Sequence, residues 1–291
     1  MKERTGGRRR DPAVLFLCDF FAAVKKNPFF CFFKVHFRLL SYNPSCKEAD
    51  RMKTQMTFAR VEIKYLLTRQ QRDRILEGMR DYMKPDDFGK TSIRNIYYDT
   101  ENYRLVRHSI EKPPYKEKLR VRSYGSLSNP SEKVFVELKK KYDGIVYKRR
   151  LSGRLDEVTD WLAGRADRLP DTQIAREIEY FRDHYETLQP AVYLSYDRQA
   201  YYGKDNRDLR ITFDENILAR TDRTALLYEP YGTPLIRRDQ ALMEIKADGG
   251  YPMWLVKILS QAGAEKVSFS KYGTAYQMLI LGNEEGGRRY A

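Results

Sequence analysis

From Phe58 onward the chain falls into short runs in which apolar and charged residues take turns, the pattern of strands with one buried face. Such runs occupy residues 58–67, 93–98, 117–124, 133–140, 145–150, 191–200, 208–214 and 241–247. Helical stretches intervene. Thr68 followed by Gln71 forms a capping box for a helix to about Tyr82, with Ile75, Met79 and Tyr82 on one face. Asp171 is placed to cap a helix running to about Leu188, and Pro252 opens another that ends at Gly263. Neighbouring strands are joined by turns such as Ser128-Asn129-Pro130 and Asp143-Gly144, which predicts antiparallel pairing. Trp161 and Trp254 read as core, and no repeat of solenoid or propeller length is present.

The residues that alternate with the apolar ones carry the chemistry. In the first strand Ala59, Val61, Ile63 and Tyr65 share one face, and Arg60, Glu62 and Lys64 the other. Leu119 and Val121 oppose Arg120 and Arg122; Val134, Val136 and Leu138 oppose Phe135, Glu137 and Lys139. Leu209, Ile211 and Phe213 oppose Arg210, Thr212 and Asp214, while Met243 and Ile245 oppose Leu242, Glu244 and Lys246. A solvated outer face accounts for many charged strand faces. Outer faces, however, usually mix Thr, Ser, Lys, Glu and Gln, whereas here Arg dominates with a recurring carboxylate. Arginine is the side chain of bidentate phosphate recognition. If the sheet closes into a barrel, these rows converge on a lumen, where like charges repel unless an anion fills it. Glu62, Glu137 and Glu244 then become candidate ligands for Mg²⁺ or Mn²⁺ bridging phosphate oxygens. Arg120 and Arg122 stand out because no acid shares their strand face. Lys140, Lys141, Arg149 and Arg150 are expected to face solvent, and Glu177 and Glu179 to be solvated helix residues.

Composition narrows the picture. The 54 Lys+Arg against 40 Asp+Glu leave a net charge of +14 over 291 residues, which indicates a polyanionic partner. All three cysteines, Cys18, Cys31 and Cys46, lie in the first 46 residues, which excludes a disulfide framework, a Cys-ligated zinc or a cysteine nucleophile from the rest. His36, His108 and His184 have no metal-ligand spacing, and the latter two read as surface residues. Residues 1–56 form an atypical extension: Asp19 interrupts its apolar stretch, so neither a signal peptide nor a spanning helix fits. It is expected to be disordered or to reflect a translation start placed too far upstream, with a membrane-surface anchor as the alternative. Residues 57–284 are expected to form the functional domain and 285–291 a flexible tail.

Eight segments in order resemble one family. They are Arg60-Val61-Glu62-Ile63-Lys64-Tyr65, Leu119-Arg120-Val121-Arg122, Glu137-Leu138-Lys139-Lys140-Lys141, Val146-Tyr147-Lys148-Arg149-Arg150, Tyr196-Asp197-Arg198-Gln199-Ala200-Tyr201, Leu209-Arg210-Ile211-Thr212-Phe213-Asp214, Met243-Glu244-Ile245-Lys246 and Phe269-Ser270-Lys271-Tyr272. Together they resemble the VTC (vacuolar transporter chaperone) domain, the polyphosphate polymerase branch of the triphosphate tunnel metalloenzymes. The resemblance implies an α+β, mainly β fold: a closed antiparallel eight-stranded β-barrel with helices packed outside. It implies a divalent metal, Mn²⁺ or Mg²⁺, with ATP and inorganic polyphosphate as partners and the γ-phosphate passing to the chain end. Carried over, Arg120, Arg122, Lys139, Lys148, Arg198 and Arg210 serve the transfer, and Arg60, Lys64 and Lys271 hold phosphate. Glu244 becomes the metal ligand, with Glu62 and Glu137 as further candidates; Lys246 joins the tunnel on strand phase alone. Hydrolytic members of the superfamily begin with Glu-x-Glu-x-Lys, whereas Arg60 stands at the first position here, exchanging a metal ligand for a phosphate contact. The resemblance also implies the stand-alone bacterial form, without sensor domain or membrane helices, and a cytoplasmic location; a membrane-protein partner is not identifiable from sequence.

Two other functions compete with polymerisation: a non-catalytic polyphosphate-binding module and a triphosphatase of the same superfamily. Single-stranded nucleic acid ranks behind them. Base stacking needs aromatics interleaved with cations on one face, and here the aromatics are read mostly on the apolar face, so no nucleic-acid partner is expected.

Overall fold

A computed structural model describes residues 60–143, 145–166 and 172–282. The N-terminal extension with its cysteines and His36, the Asp171 cap and the C-terminal tail lie outside the described residues. The long strands are β1 (Arg60–Thr68), β2 (Met83–Asp99), β3 (Tyr115–Tyr124), β4 (Lys133–Tyr142), β5 (Ile145–Arg154), β6 (Gln189–Gly203), β7 (Arg210–Arg220) and β9 (Gln240–Asp248). Two short ones, β8 (Thr233–Pro234) and β10 (Lys266–Val267), complete the set. The helices are α1 (Arg69–Gly78), α2 (Arg104–Ile110), α3 (Leu155–Leu162), α4 (Gln173–Tyr185), α5 (Met253–Gln261) and α6 (Lys271–Tyr276), the last continued by a π-turn, Gln277–Leu281.

Among the described residues the strands form one antiparallel sheet in the order β10-β1-β9-β7-β6-β2-β3-β4-β5, with β8 against β7. All eight expected strands exist, but the expected closed barrel does not: the ladder ends at β10 on one side and β5 on the other. The edge of β1 that a closing strand would need is taken at Lys64 and Tyr65 by β10. The sheet curls instead of closing, and Lys64 of β1 and Lys139 of β4 line one cavity from opposite arms. The result is an open trough.

The period-two pattern decides which face turns inward. On the convex side Leu119, Val121, Val134, Val136 and Leu138 are buried under α3 and α4 through Val158, Trp161, Ile178 and Phe181. At the other arm Tyr65, Leu67, Ile211, Phe213, Met243 and Ile245 are buried under α1 and α5 through Ile75, Leu255 and Leu259. Each fully buried Leu, Ile or Val contributes about 1.5–3 kcal/mol, and the two clusters leave the alternate, charged residues facing the trough. A third cluster sits inside the curl, where Tyr272, Ala275 and Tyr276 of α6 pack on Ile93, Tyr97 and Leu242. Asp99 fixes that arrangement: its carboxylate accepts from the Leu105 and Val106 amides of α2 at 2.8 and 2.9 Å and from the Tyr272 hydroxyl at 2.7 Å.

Helix ends follow the sequence with small shifts. Thr172 caps α4, which stops at Tyr185, and His108 lies within α2 with its ring against the Tyr115 carbonyl. Glu177 and Glu179 are not merely solvated: they accept from Arg149 at 3.1 Å and from the Trp161 indole at 3.1 Å. Trp254 is only part-buried and stacks on Tyr82 at 4.3 Å. Among the described residues no helix is long and apolar enough to cross a membrane.

The capping box forms as read, with Thr68 Oγ1 accepting from the Gln71 amide and Gln71 Oε1 from the Thr68 amide. Gln71 Nε2 also donates to the Gly263 carbonyl at 2.8 Å, tying α1 to the end of α5. Thr68→Ala is therefore expected to destabilise the protein by about 1 kcal/mol in urea unfolding, with Thr68→Ser close to neutral. Equal losses for both would remove the cap from the account.

Candidate functional site

Strand register places the charged rows side by side across the trough. Lys64 stands opposite Glu244, and Glu62 opposite Lys246. Arg198 pairs with Asp214, Arg120 with Glu137, and Lys118 with Lys139. Lys139 and Glu137 in turn face Lys148 and Arg150 of β5. Two carboxylate nodes organise these cations.

The first node is Glu137, 1% exposed. Its Oε2 accepts from Arg120 Nε and Nη2 at 2.8 and 2.6 Å, and its Oε1 meets Lys148 Nζ at 2.9 Å and Arg150 Nε at 2.7 Å. Burial alone would raise its pKa, but Arg120, Arg122 and Lys148 outweigh it and hold the carboxyl far below the ordinary range. The acid neighbour that Arg120 lacks on its own strand thus comes from the next strand. Glu137, expected among the metal ligands, has both oxygens engaged by cations and serves as their counter-charge. Arg150, expected in solvent, points the same way as Lys148 two residues earlier, while Arg149 between them turns outward to Glu177.

The second node is buried. Arg198 grips Asp214 with Nε and Nη2 at 2.6 and 2.7 Å, and Lys271 from α6 sits between Asp214 and Glu244 at 2.6 and 2.9 Å. Lys64, Arg198 and Lys246 approach Glu244 at 3.6, 3.8 and 3.8 Å. Against the burial that would raise them, Lys271 and its neighbours hold the Glu244 and Asp214 carboxyls below their ordinary range. Lys271 is therefore engaged by two acids. Asp214, which was not among the expected site residues, was visible in the sequence as the third member of the Arg210, Thr212 row. Arg210 itself is exposed at the rim opposite Lys246. Arg60 pairs through its backbone with Asp248, and its side chain lies outside the described set.

Two tyrosines, Tyr97 and Tyr196, share this face with the cations. Arg120 Nη1 donates to the Tyr97 hydroxyl at 3.0 Å; Arg122 donates to Asn95 Oδ1 at 2.9 Å and to the Tyr196 hydroxyl at 3.1 Å. Arg198 and Lys271 lie over the Tyr196 ring at 5.1 and 4.8 Å. Burial would raise the Tyr97 pKa, yet Arg120, Lys118 and Arg122 bring it down to about 8.

Beyond the nodes the trough opens into a cavity of about 370 Å³ walled by Lys64, Lys116, Lys118, Lys139 and Lys141 among others. Lys141 was expected in solvent, and Lys116 and Lys118 were not singled out, although Lys118 shares the strand phase of Arg120. Lys118 Nζ donates to Ser270 Oγ at 3.2 Å. Its pKa is lowered to about 8, first by burial, then by Lys139, Lys64 and Lys116, against the opposing pull of Tyr97. Among the described residues neither Lys118 nor Lys139 has an acid within 4.0 Å.

Among the described residues no group of three or more His, Cys, Asp or Glu is arranged to hold a metal. Glu62 and Glu244, diagonal neighbours across β1 and β9, nonetheless feel each other's charge. A hard cation that keeps water and phosphate oxygens in its shell asks for one or two such carboxylates rather than a protein-only cage. Glu62 and Glu244 are the carboxylates that would supply it, Glu244 also having Lys64, Lys246, Arg198 and Lys271 within 4.0 Å.

A curled antiparallel sheet with a cationic trough, buried carboxylate counter-charges and one diagonal acid pair defines an anion-handling protein of the mainly-β class. The model of the VTC domain matches residues 59–280, so the chain belongs to the VTC domain family named from its motifs. No curated protein matches it. Solved structures similar to it include a candidate adenylate cyclase of Vibrio parahaemolyticus, 13% identical with a TM-score of 0.44 over 75% of this chain and 97% of the other. Another is a candidate adenylate cyclase of Bacillus halodurans, 14% identical with a TM-score of 0.46 over 76% and 96%.

The lysine cavity gives a pH prediction with two opposite signs. Folding lowers the Lys118 pKa, so its penalty on stability is full below about pH 8 and fades as pH rises toward the ordinary lysine value of 10.5. Over that window the empty protein is expected to gain stability. Anion binding there requires the ammonium form, so affinity for a long-chain polyphosphate is expected to fall roughly tenfold between about pH 7 and about pH 9. Calorimetric titration and thermal unfolding across pH check both; a flat affinity profile would contradict the lysine assignment.

Proposed function

We propose that this protein is a metal-dependent phosphotransferase that moves the γ-phosphoryl group of ATP onto the end of an inorganic polyphosphate chain lying in the trough. Membership of the VTC domain family supports a polyphosphate- or triphosphate-directed role. The observation that carries the finer reading is the juxtaposition of braced arginines, unneutralised lysines and a diagonal carboxylate pair on one concave face.

Phosphoryl transfer asks the protein for in-line positioning and charge stabilisation more than for covalent chemistry. Arg120, Arg122 and Arg198 are held by Glu137, Asn95, Asp214 and two tyrosine hydroxyls, so their remaining N–H groups present phosphate donors with little reorganisation. Glu244 and Glu62 would hold a divalent ion that neutralises charge on the triphosphate. Lys64 and Lys139, beside that pair, hold the chain end toward the γ-phosphorus. A terminal phosphate oxygen of the chain attacks, the bond between γ-phosphorus and the bridging oxygen breaks, and ADP leaves.

Incubation of the full chain with γ-labelled ATP and Mn²⁺ is the direct test. Labelled chains support the proposal, labelled free phosphate alone points to a triphosphatase, and polyphosphate binding without ADP release points to a binding module. Glu62→Gln, a partly exposed position, is expected to raise the Mn²⁺ needed for half-maximal ADP release roughly tenfold or more, with a loss of thermal stability of no more than about 1 kcal/mol. A variant that titrates like the parent would take Glu62 out of the metal site.

A further inference from the structure

The lysine cavity differs in kind from the arginine nodes beside it. Its walls come from β1, β3, β4, the end of α2 and the start of α6, and they carry Lys64, Lys112, Lys116, Lys118, Lys139 and Lys141. One carboxylate lies along this wall, and it is turned away: Glu117 accepts from the Tyr115 and Tyr185 hydroxyls, both at 2.7 Å. Lys112 is held at φ +56 between α2 and the stiff Pro113-Pro114 pair, so its position is fixed by backbone that resists rearrangement. Such a concentration of ammonium groups repels itself, and an anion with several charges is the species that relieves it. Lys116 and Lys118 bear the cost visibly, both lying below the ordinary lysine range through burial and neighbouring ammoniums.

Lys64 and Lys139 belong to both places. They line the cavity and also adjoin the Glu62–Glu244 pair, so an extended anion can reach from one to the other without a break. Lysine is a compact, flexible point charge, unlike the planar fork of arginine. A lysine-walled cavity therefore reads charge and length while leaving the bound chain free to advance.

We infer that the lysine cavity seats the inner, non-reacting phosphates of the polyphosphate chain, and that Lys112, Lys116 and Lys141 fix how long a chain is held and made. The inference rests on the proposed transferase reading for its consequence in product length, and on binding alone for its geometry. None of the three lysines touches the carboxylate pair or the arginine nodes among the described residues.

The test compares the full chain with its Lys112→Ala/Lys116→Ala/Lys141→Ala variant, titrated by calorimetry with tripolyphosphate and with a long-chain polyphosphate. The parent is expected to bind the long chain more tightly than tripolyphosphate. The variant is expected to lose roughly tenfold in long-chain affinity, about what three partly exposed ion pairs supply, with tripolyphosphate affinity unchanged. With labelled ATP, its products are expected to be shorter than those of the parent. Equal weakening toward both probes, or no weakening toward either, overturns the inference. A parent that makes no chain sinks the transferase reading while the length dependence of binding still decides the cavity; a parent that makes chains of the same length as the variant sinks the inference alone.

Discussion

Two ammonium or guanidinium groups about 4 Å apart repel by about 4 kcal/mol at the effective dielectric of a protein surface, and the curl of this sheet brings many such groups together. The trough exists because carboxylates from neighbouring strands are interleaved with them. Glu137 meets Arg120, Lys148 and Arg150, and Asp214 with Glu244 meets Arg198 and Lys271. These acids are nearly or fully buried and strongly ionised, so they lock the arginines in fixed directions. Among the described residues the same balance stops short of Lys116, Lys118, Lys139 and Lys141 in the lysine cavity, none of which has an acid within 4.0 Å.

That electrostatic division depends on packing elsewhere. The two convex clusters under α3, α4 and under α1, α5 hold the arms of the sheet in their curl, while α6 inside it delivers Lys271 to its two acids. Asp99 is the link between backbone and site. By satisfying the first amides of α2 and the hydroxyl of Tyr272, it sets the height of α6 and hence of Lys271 within the trough.

The strands and their faces were legible because period-two alternation is a local property: every long strand lies on an expected segment, and Leu119, Val121, Val136 and Ile245 are buried as their phase requires. Strand ends were less so; β2 begins ten residues earlier than its apolar run, at Met83 rather than Ile93, because its first half is polar and irregular between Pro85 and Lys90. Closure was not legible at all, since it depends on which strand takes the free edge of β1, and a two-residue strand takes it. Site chemistry split along the same line. The row containing Arg120 and Arg122 could be read within one strand, but the pairing of Arg120 with Glu137 and of Arg198 with Asp214 is a matter of register between strands. Lys118 and Arg150 were within reach, each two residues from a residue already singled out.

The tyrosines explain why an aromatic, basic trough need not be a nucleic-acid platform. Base stacking requires a ring whose face is open to an incoming base. Tyr97 is stacked on Tyr272 at 4.6 Å with its hydroxyl on Arg120, and Tyr196 is covered by Arg198 and Lys271 with its hydroxyl on Arg122. Both rings are more than nine-tenths buried. Their faces and hydroxyls are spent on orienting guanidinium groups, which leaves neither ring open for a base to stack on.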